Sequence, residues 1–544
     1  MAWSLFGADG VPRHSPETAQ HFLTRGLWTT ETIYERFAAT AARYANRVGL
    51  VDALGRMTYA ELHDRVDRVA AGLVRLGIAP GQVISVQLPN YREYVELVLA
   101  SARIGAIVNP INPRVRGELE YMLRMTQSPL VVIPQRFHDF DYADMVAGLR
   151  ANMPNLRHVV VARGHAPSGM LPFDALCADP ATVDLPTMPS SIYPWLVVFT
   201  SGTTGNPKGV VRSHANTLST LRSYVDPYRF VTPGGDDVAL AMLPITHIFG
   251  LYWCVLSCLL NGVRVVMQEW FEPTGALDFI ERERVTMIGL VPSMLDPLAR
   301  ALDAKRRDLS SLRLVQPAGE AVSTESKQRI IDRLGCAVSE VYGLSECTWP
   351  VSHRPDAPLE KRLVTSGTLT PGVEMRIVDD EGRGVPDGRP GELVFRGPNV
   401  FAGYYKNPEA TAVAIEPDGW FHSGDIGTID CDGYVAIAGR KRDMIIRQGL
   451  NIFPSEIEEF LAHHPKILRV AVIGLPHSRT GEQCVACIVP KPGETVTKEE
   501  VARFLEGKVA VFKLPERVEI MSELPMSAMG KVLKRVLQAN LKEP

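Results

Sequence analysis

The sequence predicts a large α/β region followed by a small α+β region. From about residue 50 to residue 344, short β-branched runs alternate with amphipathic helices. Near-continuous apolar strands between helices are typical of parallel sheets that are covered on both faces. After Gly372 the strands are separated by turn residues instead, and a tail of about 100 residues follows Arg440 with its own strands and helices.

The first helix of the α/β region shows how its elements are recognised. Thr58 and Glu61 stand three residues apart, the spacing of a capping box, in which a hydroxyl and a carboxylate satisfy the first helical N–H groups. Four apolar residues then fall on one helical face: Leu62, Val66, Val69 and Leu73. Gly77 ends this helix, and residues 83–86 form the next strand.

Other apolar runs of strand length extend the pattern along the chain. Those of the α/β region predict buried strands at residues 130–133, 158–161, 195–199, 263–267 and 287–291. Turn residues between 375–378 and 392–395 predict an antiparallel pair there. In the tail, strands are predicted at residues 468–474, 484–489 and 517–521.

Composition narrows the class of protein. The chain has 544 residues, 46% hydrophobic and 22% charged, with a formal net charge of −3. That balance predicts neither nucleic-acid binding nor attraction to an anionic membrane. The apolar stretch 252–267 is too short and too polar to span a bilayer. The first residues lack a secretory pattern and the last lack a targeting motif, so we expect a cytoplasmic protein. We expect it to be a monomer or a homodimer.

The eight cysteines are scattered, which agrees with a reducing compartment. Cys484 and Cys487 form one C-x-x-C pair inside an apolar run. A redox or metal site would require a second pair or nearby histidines, and neither follows. We therefore expect buried strand cysteines.

The richest chemical motif follows the strand at 195–199. It comprises Thr200, Ser201, Gly202, Thr203, Thr204, Gly205, Asn206, Pro207, Lys208 and Gly209. Small residues let backbone N–H groups approach an anion closely, the hydroxyl groups add donors, and the lysine adds charge. It is not the Walker pattern, because a proline precedes the lysine and no Ser or Thr follows it. A flexible linker is the alternative, but linkers rarely follow a buried strand directly.

This loop resembles the phosphate-binding signature of the adenylate-forming acyl-CoA synthetases, a superfamily that includes peptide-synthetase adenylation domains and firefly-type luciferases. Five motifs appear in the family's order, and the resemblance covers nearly the whole chain, closest to medium-chain, alicyclic or aryl acid–CoA ligases. It implies two doubly wound sheets plus a small β-barrel-like part in residues 1–440. Residues 441–544 would form a mobile α+β catalytic domain.

The resemblance also assigns roles around ATP. Thr200 and the loop from Ser201 to Lys208 would bind the phosphates. Tyr342 and Gly343 would lie on adenine, Ser345 near the α-phosphate, and Glu346 on Mg²⁺. Serine at 345 replaces the family's more frequent threonine and keeps the hydroxyl. Asp425 would accept hydrogen bonds from both ribose hydroxyl groups, because a carboxylate offers several lone pairs. Arg440 would be a second contact to the ribose or to a phosphate.

Further assignments concern catalysis and domain movement. Lys531 matches the family's catalytic lysine, although Met526 and Ser527 replace the usual Arg and Thr before it. Arg442 matches the hinge, where relatives commonly carry Asp or Lys, and Gly449 would line the thiol channel.

The acyl pocket is implied in the same way. His247 matches an aromatic residue that lines the pocket and moves to admit the thiol; a histidine packed at a strand end is the alternative. Residues 318–321 resemble the segment beside adenine and the acyl group, with Glu320 and Ala321 departing from the common small residues. The candidate wall is His247, Ile248, Phe249, Leu251, Val291, Ala318, Gly319 and Trp349.

We therefore predict an AMP-forming acid–thiol ligase that uses ATP, Mg²⁺ and coenzyme A. Hydroxybenzoate-activating relatives commonly carry asparagine where this chain has Ile248, so an apolar acid of medium size is expected. Trp349 would disfavour long chains. A stand-alone enzyme that loads an acyl carrier protein shares the first half-reaction and stays open. An adenylate-binding scaffold without turnover is a third possibility, which the presence of both Lys208 and Lys531 disfavours.

Overall fold

The structure, a computed structural model, describes residues 3–200, 207–223, 225, 230–319, 322–448, 450–477, 479–526 and 532–541. In the first part of the chain the elements are β1 (Ser4–Phe6), β2 (Pro12–His14), α1 (Pro16–Thr24), α2 (Ile33–Arg43), β3 (Val48–Asp52), β4 (Gly55–Thr58), α3 (Tyr59–Arg75), β5 (Val83–Val86), α4 (Arg92–Ile104), β6 (Ile107–Pro110), α5 (Leu119–Thr126), β7 (Leu130–Pro134), β8 (Arg136–Phe137), β9 (Phe140–Asp141), α6 (Tyr142–Arg150), β10 (His158–Ala162), β11 (Leu171–Pro172), β12 (Pro194–Thr200), β13 (Lys208–Ser213) and α7 (His214–Ser223).

The middle of the chain continues with β14 (Val238–Ala241), a π-helical stretch (Phe249–Leu256), α8 (Ser257–Leu259), β15 (Arg264–Met267), α9 (Pro273–Glu283), β16 (Met287–Leu290), α10 (Leu295–Ala304), β17 (Leu314–Pro317), α11 (Thr324–Leu334), β18 (Ala337–Val338), β19 (Val341–Tyr342), β20 (Val351–Ser352), α12 (Leu359–Val364), β21 (Thr368–Leu369), β22 (Glu374–Val378), β23 (Gly391–Arg396), β24 (Gly403–Tyr404), α13 (Pro408–Ala414), β25 (Phe421–Ile429) and β26 (Val435–Arg440). The last part contains a 3₁₀ turn (Lys441–Asp443), β27 (Ile445–Arg447), β28 (Leu450–Ile452), α14 (Pro454–Leu461), β29 (Ile467–His477), β30 (Gly481–Pro490), α15 (Lys498–Leu505), β31 (Arg517–Ile520) and α16 (Lys534–Leu541). The remaining short 3₁₀ turns are Phe173–Leu176, Pro180–Thr182, Pro292–Met294 and Val511–Lys513.

Two mostly parallel sheets form the body of the large region. The first has the order β11-β10-β7-β5-β6-β12-β13-β24, parallel except for the pairings of β13 with β12 and β24. The second has the order β18-β17-β16-β14-β15-β3-β4, parallel except for the β3–β4 hairpin. This confirms the prediction of doubly wound sheets.

Alternate residues of one strand show that the first sheet is covered on both faces. In β7, Val132 belongs to the core that the two sheets share with α3 and α4, whereas Val131 and Ile133 belong to a separate core under α5 and α6. Successive side chains of a strand point to opposite faces, so both faces of the sheet are buried against other elements. The predicted capping box of α3 is present, with Thr58 and Glu61 hydrogen-bonded reciprocally.

Smaller sheets complete the fold. In the described part of the chain, β22, β23, β25 and β26 form an antiparallel sheet, β19, β20 and β21 form another, and an isolated bridge from Gly367 to Val435 joins them. The last region has the order β28-β27-β30-β29, with β31 parallel to β30, and carries helices on both faces. Cys484 and Cys487 are buried in β30 as free thiols, as predicted.

Candidate active site

The phosphate loop leaves the first sheet at the carboxyl end of β12. Thr200, the last residue of β12, pairs across the sheet with Lys208, the first residue of β13. The ends of the loop are therefore fixed side by side on two neighbouring strands. Parallel α/β sheets bind ligands outside the carboxyl ends of their strands, so this position suits a nucleotide.

Lys208 is connected to Glu346 through an aromatic residue that the sequence did not single out. The Lys208 ammonium lies 5.1 Å from the centroid of the Tyr404 ring. The Tyr404 hydroxyl donates to Glu346 Oε1 at 3.0 Å, and burial raises the pKa of the Glu346 carboxyl above its ordinary value. Tyr404 lies in β24, which pairs with β13. Nothing in the local sequence distinguishes this tyrosine from a structural one.

Three residues predicted for the adenosine end lie together, with Tyr342 and Arg440 both in contact with the buried carboxylate of Asp425. Asp425 is 2% exposed; it accepts from the Tyr342 hydroxyl at 2.5 Å, and its carboxylate forms an ion pair with Arg440 Nε at 2.7 Å. The β25–β26 register places Asp425 opposite Arg440. Burial and the neighbouring carboxylate raise the pKa of the Tyr342 phenol well above its usual range.

Arg212 supports the Ser345–Glu346 segment from behind and is a second residue that sequence reasoning missed. Its side chain is fully buried in β13. Nη1 donates to the carbonyl oxygen of Asn399 at 2.9 Å and lies 3.4 Å from those of Ser345 and Glu346. This guanidinium therefore ties the strand after the phosphate loop to the segment that carries Glu346. The sequence feature that could have identified this residue is an arginine inside an otherwise apolar strand.

The loop that carries His247 is held by Asn90. The Asn90 amide donates to the carbonyl oxygens of Ala241, Leu243 and Gln268 at 2.9–3.2 Å, and its oxygen accepts from Ile245 N–H at 3.0 Å. His247 follows in this loop, and its Nδ1 accepts from the backbone of Phe249 at 3.3 Å. One side chain from the turn after β5 thus fixes the loop after β14.

Most of the predicted acyl-pocket residues are buried, whereas His247 and Val291 are half-buried and Gly319 is exposed. A Cβ at Gly289 of β16 would lie 3.1 Å from the Trp253 ring and 3.3 Å from Phe249, so these two rings cover that glycine. The Trp349 ring packs edge-on against Tyr252, with centroids 5.9 Å apart. Ile248 and Leu251 lie in the same buried cluster.

The segment after β17 comes close to the strand end of β16. Ala318 N–H donates to Leu290 O at 3.1 Å. Gly319 has φ +86°, and a Cβ there would lie 3.3 Å from Val291. Gly343 is restricted by space, because a Cβ there would come 2.5 Å from Trp349 N. A side chain at Gly343 would push the Trp349 backbone away from the Tyr342–Glu346 segment.

The chain leaves the large region through a residue that is tied to it by charge. Lys441 Nζ lies 3.0 Å from both Glu392 Oε2 and Asp380 Oδ1. Arg442 follows within the 3₁₀ turn, and β27 of the last sheet begins at Ile445. The anchor to the large region and the first strand of the small one are therefore separated by three residues.

Several predicted site residues lie outside the described residues. These are Ser201, Gly202, Thr203, Thr204, Gly205, Glu320, Ala321, Gly449 and Lys531.

No described helix has the length and hydropathy needed to cross a bilayer. The described residues also hold no group of three or more His, Cys, Asp or Glu able to cage a metal. Mg²⁺ is typically held by one or two carboxylates together with substrate phosphates, and the lone Glu346 carboxylate near Lys208 fits that requirement.

The fold and the site are those of a nucleotide-using enzyme of the α/β class, in which the buried Asp425 carboxylate pairs with Tyr342 and Arg440. Residues 37–405 match the family model of the AMP-binding enzymes, and residues 456–531 match that of the AMP-binding enzyme C-terminal domain. The chain belongs to the AMP-binding enzyme family.

Relatives in the family act on several acids. The chain is 33% identical to the 2,3-dihydroxybenzoate–AMP ligase of Bacillus subtilis (strain 168), covering 97% of each chain. It is 33% identical to the medium-chain fatty-acid–CoA ligase of Escherichia coli (strain K12), over 95% of this chain and 92% of the relative. Among solved structures, ATP-bound MatB from Rhodopseudomonas palustris superposes with a TM-score of 0.83 at 30% identity, covering 94% of this chain and 99% of that one.

Proposed function

We propose that this enzyme joins a carboxylic acid to coenzyme A in two half-reactions that share one site. The observation that carries the proposal is the convergence of Tyr342, Asp425 and Arg440, with Lys208 and Glu346 linked through Tyr404 beside the phosphate loop. That set provides partners for an adenosine, for a triphosphate and for a divalent cation.

In the first half-reaction a carboxylate oxygen of the acid attacks the α-phosphorus of ATP. The new bond is acyl O–P, the bond to the β-phosphate oxygen breaks, and pyrophosphate leaves with the electron pair. Two anions must approach each other, so the site supplies positive charge: Lys208 near the phosphates and Lys531 at the reacting atoms. Mg²⁺ on Glu346 would supply further charge neutralisation when bound.

In the second half-reaction the CoA thiolate attacks the carbonyl carbon of the acyl-adenylate. A C–S bond forms, the C–O bond breaks, and AMP leaves in place of the very poor oxide leaving group of the free acid. His247 is the residue that we propose to move aside for the thiol, with Gly449 along its path. The short loop that carries His247 is held by Asn90.

We propose that residues 1–440 and 441–544 are the two domains and that Arg442 is the pivot between them. Lys441, the first residue of the small domain, forms ion pairs with Glu392 and Asp380 of the large domain, and the small domain's sheet begins three residues after Arg442. A rotation there would exchange the Lys531 face for the Gly449 face between half-reactions.

The acid that we propose is apolar and of medium size: a medium-chain fatty acid, an alicyclic acid or an unsubstituted aryl acid. Ile248, Phe249 and Trp349 are buried apolar side chains, each at most 6% exposed. Burial of apolar substrate surface gains about 0.8 kcal/mol per CH₂, whereas an unpaired substrate hydroxyl costs about 1–3 kcal/mol.

A panel of acids in a pyrophosphate-release assay tests the substrate class. The highest kcat/KM is expected for octanoate, cyclohexanecarboxylate or benzoate; acetate or a hydroxybenzoate in first place would contradict the pocket assignment. The acceptor is tested with the best acid by supplying CoA and, separately, a phosphopantetheinylated carrier protein. Faster acyl transfer to the carrier than to CoA would favour the carrier-loading alternative.

A further inference from the structure

Residues 3–28 carry a cluster of buried aromatic rings that the site described above does not include. This stretch precedes the part of the chain that the AMP-binding family model matches, which begins at residue 37. The β1–β2 hairpin places Ser4 opposite His14, and α1 follows it closely. We define the N-terminal brace by four buried side chains of this stretch: Trp3, His14, Phe22 and Trp28.

The rings of the N-terminal brace pack against one another. His14 lies between the two indoles, with ring centroids 5.4 Å from Trp3 and 4.9 Å from Trp28. Phe22 closes the cluster, 6.0 Å from Trp3 and 4.9 Å from Trp28. Each ring is at most 7% exposed and contacts two others, so the cluster fixes the direction in which each ring N–H points.

The two indole N–H groups of the brace donate to one short segment of the large region, residues 398–401. Trp28 Nε1 donates to Pro398 O at 2.9 Å, and Trp3 Nε1 donates to Phe401 O at 3.0 Å. More than 360 positions of chain separate these donors from their acceptors. The brace therefore anchors the start of the chain on the 398–401 segment.

His14 supplies a third donor to the same segment. Burial lowers the pKa of His14 to about 3, so the ring is neutral, and its Nε2 donates to Val400 O at 3.2 Å. The Asn216 amide also donates to the carbonyl oxygens of Pro398 and Val400, at 2.8 Å each. Both amide N–H groups are then in use, so the Phe401 oxygen takes its donor from Trp3.

The other side of the 398–401 segment is bonded to the stretch that carries Glu346. Phe401 N–H donates to Glu346 O at 2.7 Å, and an isolated antiparallel bridge joins Val400 to Cys347. Tyr404, three residues after Phe401, holds the Glu346 carboxylate itself through its hydroxyl. A shift of the 398–401 segment would therefore displace both the backbone and the carboxylate of Glu346.

We infer that the N-terminal brace positions Glu346 for Mg²⁺ by fixing the 398–401 segment. Mg²⁺ demands near-ideal octahedral geometry, so its binding is sensitive to small displacements of a carboxylate. This inference rests on the proposed function, in which Glu346 binds Mg²⁺ together with the ATP phosphates. Trp3, His14 and Trp28 are positioning residues, because they act on the metal site only through the backbone of another segment.

ATP binding with and without Mg²⁺ tests the inference without any turnover. The double variant Trp3→Phe/Trp28→Phe keeps two aromatic rings and removes both indole N–H groups. ATP is titrated into the full-length protein in a calorimeter, once with excess Mg²⁺ and once with EDTA. With Mg²⁺ the variant should bind ATP about tenfold more weakly than wild type, whereas with EDTA the two affinities should agree within about twofold.

Two results would overturn the inference: an equal loss of ATP affinity with and without Mg²⁺, or no loss in either condition. Trp3→Phe alone is the second variant, used if the double variant does not fold, and its loss should again require Mg²⁺. Wild-type enzyme that binds ATP but forms acyl-adenylate from no acid would refute the proposed function, while the two titrations would still decide the role of the brace.

The Mg²⁺ dependence of ATP–pyrophosphate exchange provides an independent readout. The Mg²⁺ concentration that gives half of the maximal exchange rate should rise about tenfold in the double variant, and excess Mg²⁺ should restore the rate by mass action. KM for the acid should stay within about twofold of wild type. A matching rise in KM for the acid would show a general loss of structure and contradict the assigned role.

Tyr59→Phe is the matched control, because it also removes a ring donor from a buried backbone carbonyl. Tyr59 is fully buried, and its hydroxyl donates to Val263 O at 2.9 Å, just before β15 of the second sheet. This variant should lower the unfolding temperature without changing the Mg²⁺ requirement. A rise in that requirement equal to that of the double variant would show that the effect is not specific to the brace.

Discussion

Asn90→Ala should loosen the loop that carries His247 while leaving the ATP site intact. Asn90 is 3% exposed and makes four hydrogen bonds to backbone groups of the second sheet and of this loop. Ala241 O keeps a donor, because Gln268 N–H also bonds to it at 3.1 Å. The variant removes the hydrogen-bond partner of three other backbone groups, which are the carbonyl oxygens of Leu243 and Gln268 and the N–H of Ile245.

The magnitude follows from these three groups. A buried polar group without a partner costs about 1–3 kcal/mol, so the variant should destabilise this loop locally by about 3 kcal/mol or more. Opening of a segment by that free energy should speed its amide hydrogen exchange by roughly two orders of magnitude. The effect should be confined to residues 241–248 and to the segment around Gln268.

Hydrogen exchange and kinetics together provide the assay. Exchange should accelerate in the segment 241–248, and KM for the acid should rise about tenfold, because small misplacements of positioning elements are costly. KM for ATP should not change. Unchanged exchange in the loop, or equal rises in both KM values, would refute the view that Asn90 positions the His247 loop.

Asn261→Ala is the control for simple loss of a buried amide. Asn261 is 7% exposed, and its amide donates to Ser257 O at 2.8 Å, away from the His247 loop. This variant should lower the unfolding temperature without changing KM for the acid.

Three further outcomes are expected. Lys531→Ala should slow adenylation by about 10²-fold or more and leave transfer from supplied acyl-adenylate largely intact, because its charge is needed only while the P–O bond forms; equal loss in both half-reactions would contradict this. Arg442→Pro should impair one half-reaction far more than the other, since proline fixes φ near −65° and removes an N–H; if both rates survive, Arg442 is not the pivot. The carboxylates of Glu392 and Glu416, 3.4 Å and 2.9 Å from the His422 ring nitrogens, raise the pKa of His422 above its ordinary 6.5. Its stabilisation is therefore fully present below pH 6.5 and is lost as pH rises through the raised pKa, so His422→Gln should lower the unfolding temperature more at pH 5.5 than at pH 8.5. The opposite pH trend would refute the role of these contacts.

The sequence by itself determined the order and type of the main elements. Hydrophobic periodicity and turn chemistry are local properties, so the strand at Trp195–Phe199, the capped helix after Thr58 and the antiparallel pair after Gly372 could be read directly. The motif residues Tyr342, Asp425 and Arg440 were also recognised one by one. Recognising these residues required no knowledge of which side chains lie close together in the folded protein.

Only the tertiary structure decided which side chains meet. Tyr404 joins Lys208 to Glu346, although 196 positions separate it from the lysine along the chain. Asn90 reaches the His247 loop from the turn after β5, and Trp270 approaches Arg114 from the second sheet. Neither a tyrosine, an asparagine nor a tryptophan carries a local pattern that names a distant partner. Such contacts arise because strand pairing and burial of the core shared by the two sheets bring distant segments together, which no short stretch of sequence specifies.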